Sequence, residues 1–287
     1  MFFYYVALMR PKHWIKNLFI VAPLIFSFQF MNFSQVLTTA LAVLCFSLAA
    51  SAVYIMNDIF DKDCDKKHPK KKYRPIASGV ISVKKGVACS LLLTVISIGL
   101  SFLISYLAAI ITTAYLILNL LYSTHLKHIV IIDVFTISAG FVLRVLMGGV
   151  VNGVPISEWL ILTTIFLSLF LGFGKRYGEL LNNDGLKHRE VLGHYTKDML
   201  SLFMAMCAVL TIVIYTLYTI DPVISERFYR SRLLAAIPFV VFGVFRYFQM
   251  VLSERSGGDV VDVISKDRYI KLTVLIWFGV VIWAIRR

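Results

Sequence analysis

Long apolar runs separated by short polar segments dominate this sequence and constrain its fold more than any other feature. The hydrocarbon core of a bilayer is about 30 Å thick, and a helix of about 20 apolar residues crosses it. Nine runs approach this length: 17–31, 36–57, 86–105, 108–124, 130–150, 156–174, 199–220, 233–251 and 269–285. The first run is the shortest and contains Pro23. The sequence therefore predicts an all-α, polytopic membrane protein, a bundle of nine transmembrane helices.

The overall composition excludes a soluble globular protein. Hydrophobic residues make up 59% of the chain and charged residues 16%, whereas a soluble domain is typically about 45–50% apolar and about 25% charged. No loop is long enough to fold by itself, so we expect one domain, residues 1–287. The apolar residues 1–8 follow no basic segment, so we expect no cleavable signal peptide.

Basic residues outnumber acidic ones, and they concentrate in alternate loops. The net charge is +13, from 29 Lys and Arg against 16 Asp and Glu. With nine spans, the N-terminal segment and the loops after spans two, four, six and eight lie on one face, which the positive-inside rule makes cytoplasmic. Arg227, Arg230 and Arg232 fall on the other face and disagree. We expect a cell-membrane (plasma or inner) protein whose active site faces the cytoplasm, with no nucleic-acid partner.

The segment 57–79 reads NDIFDKDCDKKHPKKKYRPIASG and carries the clearest chemistry. Asn57, Asp61 and Asp65 recur every four residues, so a helix would place them along one face, with Asp58 elsewhere on the same turns. Carboxylates on neighbouring turns repel each other unless a cation lies between them. Mg²⁺ suits such a site, because it binds one or two carboxylates together with water and phosphate oxygens. The basic stretch that follows suits a diphosphate; the alternative is a solvated, mixed-charge loop.

The pattern Asn57-Asp58-x-x-Asp61-x-x-x-Asp65 resembles the first Asp-rich motif of the UbiA superfamily of intramembrane prenyltransferases, which have nine transmembrane helices. Further segments resemble its decaprenyl-phosphate phosphoribosyltransferase branch and extend over nearly the whole chain. These segments are 10–17, 68–79, Asp133 with 140–144, 174–180 and 245–247. The resemblance implies a catalytic set of Asn57, Asp61 and Asp65, and a Mg²⁺ site made by these three residues with Asp58.

One region departs from the general superfamily pattern. Prenyltransferases with aromatic acceptors usually carry a second motif, DxxxD, after span six, but here the region reads KRYGELLNNDGLKHRE. Glu179 and Asp184, the first two of its acids, are five residues apart. This difference argues against a second prenyl-diphosphate site and suits phosphoribosyl pyrophosphate (PRPP) as the donor. The identity of a further acidic metal ligand stays open among Asp133, Glu179 and Asp184.

The resemblance implies transfer of 5-phosphoribose from PRPP to a polyprenyl phosphate, with release of diphosphate. The substrate-binding candidates are Lys16, Asn17, Lys66, Lys72, Arg74, Arg144, Lys175, Arg176 and Glu179. Two other functions stay open: transfer of a prenyl group from a prenyl diphosphate to an aromatic or other acceptor, and a small transporter or lipid-binding scaffold. The length of the prenyl chain and the oligomeric state, including a homo-oligomer, are not fixed by the sequence.

Several candidates also have a structural interpretation. Arg144 lies inside a predicted span, where a charge usually faces the bundle interior, either as a phosphate ligand or in a structural pair. Asp133 fits a second acidic ligand or a partner of Lys127. Lys16 fits a clamp on a lipid phosphate or an anchor at the membrane interface. Lys175 and Arg176 lie near the C-terminal end of a predicted helix, where the helix dipole stabilises a positive charge.

Overall fold

Every regular element in the described part of the computed structural model is helical, which confirms the predicted fold class. The described residues are 1–69, 71–181, 190–221, 230–253, 263 and 266–285. Seven helices among them are long and apolar enough to cross a membrane, so the count of nine is not confirmed. Two residues for which the sequence made predictions lie outside these ranges: Asp184, a candidate metal ligand, and Arg227, one of the bases expected on the opposite face. The chain divides into two compact units, Met1–Ile156 and Ser157–Arg287.

The first unit contains seven α-helices, four of which have the length and composition of membrane spans. Those four are α3, α5, α6 and α7. The helices are α1 (Phe2–Met9), α2 (Ala22–Phe26), α3 (Phe33–Phe60), α4 (Lys62–Lys67), α5 (Val83–Ile104), α6 (Tyr106–Thr124) and α7 (Ile132–Asn152). Short 3₁₀ helices occur at Pro11–Val21, Gln29–Met31, Lys71–Tyr73 and Leu126–His128. Helix α3 is central in this unit, since it packs against α1, α5, α6, α7 and the Pro11–Val21 segment.

The predicted first span, 17–31, is not a single α-helix. The chain there forms the 3₁₀ helix Pro11–Val21, then α2, then Gln29–Met31. Pro11 and Pro23 each lie in the first turn of a new helical segment, where the missing N–H has no helical partner to lose. Positive φ angles at Arg10 (53°) and Phe28 (65°) separate the segments, because a right-handed helix cannot continue through them.

Polar side chains fix the starts of the long helices in this unit. The backbone N–H of Ser34 donates to the side chain of Asn32, at 3.0 Å, at the start of α3. Ser105 has an extended backbone, and its Oγ accepts from the N–H of Ala108 at 3.0 Å, so a single residue ends α5 and caps α6. The close pair of predicted spans around residue 105 is therefore two helices.

Close backbone packing holds the Pro11–Val21 segment and α2 against α7. A Cβ atom added to Gly148 would lie 2.2 Å from the carbonyl oxygen of Ile20 and 2.9 Å from the ring of Pro23. Glycine at this position therefore allows the irregular segment to lie directly on the helix. Ile20 itself is fully buried in the apolar core of the unit.

The second unit contains five described α-helices. Its three candidate membrane spans are Glu158–Leu181, Lys197–Ile220 and Arg232–Leu252, and the last of these extends over two of the helices. The helices are α8 (Glu158–Leu181), α9 (Lys197–Ile220), α10 (Arg230–Leu234), α11 (Ile237–Leu252) and α12 (Arg268–Ile285). Helices α8 and α9 pack along each other, and α11 lies against α8, α9 and α12. The approach of α11 to α8 depends on Gly174, since an added Cβ there would lie 2.9 Å from the hydroxyl of Tyr247.

Candidate active site

The Asp-rich motif lies at the junction of α3 and α4, where helical hydrogen bonding continues through Asp61. The N–H of Asp61 donates to the carbonyl of Asn57 at 2.9 Å, and the N–H of Asp65 donates to the carbonyl of Asp61 at 2.8 Å. The motif therefore occupies consecutive helical turns, as the four-residue spacing predicts. Its side chains nevertheless separate into two hydrogen-bonded groups.

The first group forms around Asp61. The Nζ of Lys127 lies 2.9 Å from Oδ1 of Asp61, and the side-chain amide of Asn57 donates to Oδ2 at 2.9 Å. Ser123, at the end of α6, in turn donates to the amide oxygen of Asn57 at 3.4 Å. The sequence interpretation named Lys127 only as a partner of Asp133 and missed this role. A basic residue in the first turn after the fourth predicted span was the available signal.

The second group joins Asp58 to Asp65 through Arg74. One guanidinium nitrogen, Nη1, lies 3.1 Å from Oδ1 of Asp58 and 2.6 Å from Oδ2 of Asp65, and Arg10 also donates to Asp58. The side chains of Asp58 and Asp65 are only 2% and 5% exposed. The sequence placed Asp58 apart from Asp65. Seven residues, however, are almost two full turns, and the two side chains therefore return to nearly the same face.

Together the two groups balance three carboxylates against three bases, and we call them the acid–base cluster: Asp58, Asp61, Asp65, Arg10, Arg74 and Lys127. In the ranges that the structure describes, no three Asp, Glu, His or Cys side chains lie close enough together to hold a metal ion. The oxygen donors of Asn57 and the three aspartates nevertheless suit Mg²⁺ in kind. In this conformation, Arg74 and Lys127 provide the positive charge that a metal would provide.

Two of the predicted phosphate ligands lie on the surface near this cluster. Lys66 pairs with Asp63 at 3.2 Å, and both side chains are well exposed. The Nζ of Lys72 lies 5.1 Å from the centre of the Tyr73 ring. Of the three bases, Arg74 contacts the carboxylates of the cluster, whereas Lys66 and Lys72 are exposed and accessible to a ligand.

Arg144 and Asn17 form a separate, buried group within the first unit. Arg144 donates from Nε to the Asn17 side chain at 2.8 Å, from Nη1 to the Gly140 carbonyl at 2.7 Å and from Nη2 to the Tyr115 hydroxyl at 3.1 Å. The amide of Asn17 donates to Ser47 at 2.9 Å. These partners are all neutral, and no carboxylate pairs with Arg144 among the residues that the structure describes.

Aromatic rings complete the surroundings of Arg144. Its guanidinium carbon lies 4.8 Å from the ring centre of Tyr115, 5.4 Å from that of Phe141 and 5.7 Å from that of Phe46. Such contacts compensate part of the cost of burying a cation. Asn17, which is fully buried, ties this group to the Pro11–Val21 segment. Lys16, the neighbouring candidate, is half-buried on the same segment.

The candidates of the second unit gather on the last turns of α8. Arg176 is fully buried and its Nη1 lies 2.6 Å from Oε2 of Glu179, while the Nζ of Lys175 lies 3.9 Å from Oε1 of the same carboxylate. A solvated cation at a helix end would not be buried in this way. Of the acids offered as a further metal ligand, Asp133 is fully buried at the start of α7, and Asp184 lies outside the described residues.

Comparison with known proteins shows a membrane enzyme of the transferase class. The sequence model of the UbiA prenyltransferase family matches residues 18–178, and the chain belongs to that family. The decaprenyl-phosphate phosphoribosyltransferase of Corynebacterium glutamicum is 32% identical, over 98% of this chain and 86% of the relative. The enzyme of the same name from Mycobacterium tuberculosis is 30% identical, over 96% of this chain and 92% of the relative.

Solved structures show the same fold at low sequence identity. A UbiA homolog from Archaeoglobus fulgidus, bound to GPP and Mg²⁺, superposes with a TM-score of 0.74 at 16% identity, over 98% of this chain and 99% of that chain. The structure of a UbiA homolog from Aeropyrum pernix gives a TM-score of 0.69 at 14% identity, over 93% and 98% of the two chains. The predicted UbiA-like architecture is thereby confirmed.

Proposed function

We propose that the protein transfers 5-phosphoribose from PRPP to a polyprenyl phosphate and releases diphosphate. The acid–base cluster carries this proposal, because it offers both the carboxylates that a metal–diphosphate needs and the bases that a leaving diphosphate needs. Similarity to phosphoribosyltransferases along nearly the whole chain supports the choice of substrates. The missing DxxxD motif in the segment 175–190 supports PRPP over a prenyl diphosphate as the donor.

The reaction exchanges one bond at C1 of the ribose for another. The bond between C1 and the diphosphate oxygen breaks, and the diphosphate leaves with the electron pair. An oxygen of the lipid phosphate forms the new bond from the opposite face, which inverts the configuration at C1. Because this oxygen is already anionic at neutral pH, no side chain has to act as a general base. The chain therefore contributes mainly by positioning and by electrostatic stabilisation.

The acid–base cluster would bind the donor by an exchange of partners. Mg²⁺, held by Asp61 and Asp65 with Asn57 and Asp58 beside them, would supply positive charge to the diphosphate. The carboxylates would then no longer need Arg74 and Lys127. The guanidinium of Arg74 and the ammonium of Lys127 would turn to the diphosphate oxygens, where the charge grows as the C1 bond breaks. Positive groups fixed at that point favour the transition state over the ground state.

We assign Arg144 to the phosphate of the acceptor lipid. On α6, Ser123 contacts Asn57 of the cluster, whereas Tyr115 contacts Arg144. These two α6 residues are eight positions apart, which is about 12 Å along a helix. That distance exceeds the size of one diphosphate, so the cluster and Arg144 serve different phosphate groups. A buried guanidinium that has only neutral partners can accept an anion without first losing an acidic partner.

The remaining candidates fit the edges of the two phosphate groups. Lys66 and Lys72 are accessible beside the cluster and would receive the incoming donor. Lys16, next to Asn17, would contact the lipid phosphate. In the second unit, Lys175 and Arg176 stay predicted phosphate ligands, and Glu179 holds both of them. A water-soluble donor requires that the site opens to the cytoplasm, in agreement with the basic loops of that face.

The assay combines purified protein in mixed micelles with Mg²⁺, ribose-labelled PRPP and a polyprenyl phosphate. Labelled lipid and free diphosphate should appear in equal amounts, and a chelator should abolish both. A parallel reaction offers a prenyl diphosphate with an aromatic acceptor. Product from this second reaction, with none from PRPP, would replace the proposal by prenyl transfer. A liposome assay in which a solute crosses the membrane without any covalent product would favour a transporter.

A further inference from the structure

The second unit has an apolar groove that the proposed transfer does not use. It has a volume of about 890 Å³, and Phe242, Phe245 and Tyr269 in its wall are each more than 40% exposed. Its lining consists of Ile237, Pro238, Val241, Phe242, Phe245, Arg246, Gln249 and Tyr269. All but Tyr269 belong to α11 and repeat every three to four positions, so they form one continuous face of that helix.

A second, smaller groove of about 360 Å³ runs beside the first. Pro238, Phe242 and Tyr269 line both grooves and therefore form the ridge between them. The far wall of the smaller groove belongs to α12, through Leu272, Thr273 and Ile276. The surface thus offers two adjacent apolar channels that share one wall.

Basic side chains surround the end of the grooves where α11 ends and α12 begins. Arg246 donates to Asp267 at 2.7 and 3.2 Å and to Gln249 at 3.0 Å. The hydrogen bonds from Arg246 to Asp267 hold the pKa of that carboxyl below its usual value. Arg246 and Arg268 both lie over the Tyr269 ring, at 5.2 and 4.9 Å. Lys266, Arg268 and Lys271 are exposed there. Among the described residues 266–271, these three exposed bases compare with one acid, Asp267, which is buried and paired with Arg246.

The dimensions of the larger groove match one leaflet of a bilayer. Ile237 and Gln249, its first and last residues on α11, are twelve positions apart, which corresponds to about 18 Å. Half of a hydrocarbon core about 30 Å thick is about 15 Å. The apolar walls therefore extend over about the length of one leaflet, with the basic residues at one end of them.

We propose that these paired grooves bind a diacyl phospholipid with an anionic headgroup. Its two acyl chains lie on either side of the ridge formed by Pro238, Phe242 and Tyr269, and its phosphate lies at Arg268 with Arg246 behind it. Two channels that meet at one basic end fit two chains on one headgroup better than a single prenyl chain. This proposal is independent of the transferase reaction, since it uses no residue of the acid–base cluster.

The test measures lipid retention by the full chain with native mass spectrometry. Phosphatidylglycerol and phosphatidylcholine with the same acyl chains are compared, and the anionic lipid should bind more tightly. Each base near a lipid surface contributes a factor of about five in affinity, so Arg268→Gln and Lys271→Gln should each lower phosphatidylglycerol binding by about that factor. Neither variant should change phosphatidylcholine binding. Lys84→Gln, which removes an exposed charge from α5, serves as the matched control and should change neither.

Four results would overturn the proposal. The first is equal binding of the two phospholipids, and the second is an unchanged affinity of Arg268→Gln for phosphatidylglycerol. The third is displacement of phosphatidylglycerol by a polyprenyl phosphate at equal concentration, which would make the grooves a binding place for the acceptor lipid. Inorganic phosphate should not compete, because the apolar walls contribute to binding, and competition by it would likewise contradict a lipid site.

Discussion

The Nζ of Lys127 lies 2.9 Å from Oδ1 of Asp61, although the two residues are 66 positions apart in the chain. This contact joins the loop after α6 to the end of α3. It also places a base on the carboxylate that we propose as a metal ligand. A side-chain cation and a metal ion would therefore compete for the same carboxylate.

Replacing Asp61 should nearly abolish transfer. Asp61→Asn keeps the size of the side chain but removes the charge that attracts both Lys127 and a metal. Loss of one fixed electrostatic group in an active site typically lowers the rate by about 10²–10³-fold, and we expect a loss in this range for labelled lipid formation. Asp63→Asn is the control, because Asp63 pairs only with the exposed Lys66. An unchanged rate of transfer in Asp61→Asn would show that the acid–base cluster takes no part in the reaction.

Replacing Lys127 should separate metal binding from transfer. In Lys127→Gln, Asp61 has no competing base, so Mn²⁺ should bind about two- to fivefold more tightly, the range expected for a partly exposed ion pair. Transfer should nevertheless become slower, because one cation for the leaving diphosphate is missing. Electron paramagnetic resonance measures free Mn²⁺, and Lys67→Gln, on the neighbouring helix turn, provides the control. Weaker Mn²⁺ binding in Lys127→Gln would contradict the exchange of partners.

Replacing Arg144 should affect the acceptor rather than the donor. Arg144→Lys keeps the charge but loses the hydrogen bonds to Asn17 and Tyr115, so the KM for polyprenyl phosphate should rise while the KM for PRPP stays the same. Tyr115→Phe keeps the ring and removes one hydrogen bond, and it should lower stability by about 1 kcal/mol. This second variant detects a purely structural effect. A higher KM for PRPP in Arg144→Lys would indicate that Arg144 binds the donor rather than the acceptor.

Replacing Gly148 should destabilise the first unit. A Cβ atom there would lie 2.2 Å from the carbonyl oxygen of Ile20, so the Pro11–Val21 segment must move away from α7. Such overpacking typically costs about 1–3 kcal/mol, and thermal unfolding in detergent should show a lower Tm for Gly148→Ala. Gly99→Ala is the matched control, since no atom lies within 4 Å of its added Cβ. Equal Tm values for the two variants would mean that the Pro11–Val21 segment moves away from α7 without loss of stability.

Local periodicity predicted most of the long helices in the described part of the chain and the helical position of the acidic motif. Apolar runs of about 20 residues have few alternatives in a membrane, and the four-residue spacing of Asn57, Asp61 and Asp65 follows from the helix itself. The irregular Pro11–Val21 segment was predicted less well. In the predicted run 17–31, Pro23 and the positive φ angle of Phe28 overrode an apolar stretch that otherwise has nearly the composition of a span.

The partners of the motif could not be predicted from spacing. Arg10 reaches Asp58 across 48 positions and Lys127 reaches Asp61 across 66, so these contacts depend on how α1, α3 and α6 pack. The grouping of Asp58 with Asp65 was within reach, because it follows from two helical turns. The pair was not predicted, because the four-residue spacing of Asn57, Asp61 and Asp65 indicates a single helix face. Arg74 contacts both Asp58 and Asp65, because the loop after α4 brings it back to these two carboxylates.

Ser105 is the single residue between α5 and α6, and this connection has a consequence for biosynthesis. Two helices joined so tightly cannot enter a bilayer one after the other in independent orientations. They must insert as one hairpin, with their outer ends, near Val83 and Thr124, on the same side. The orientation of α5 therefore dictates that of α6. Lengthening the connection at Ser105, rather than moving charges in distant loops, is the change that would release the second helix from the first.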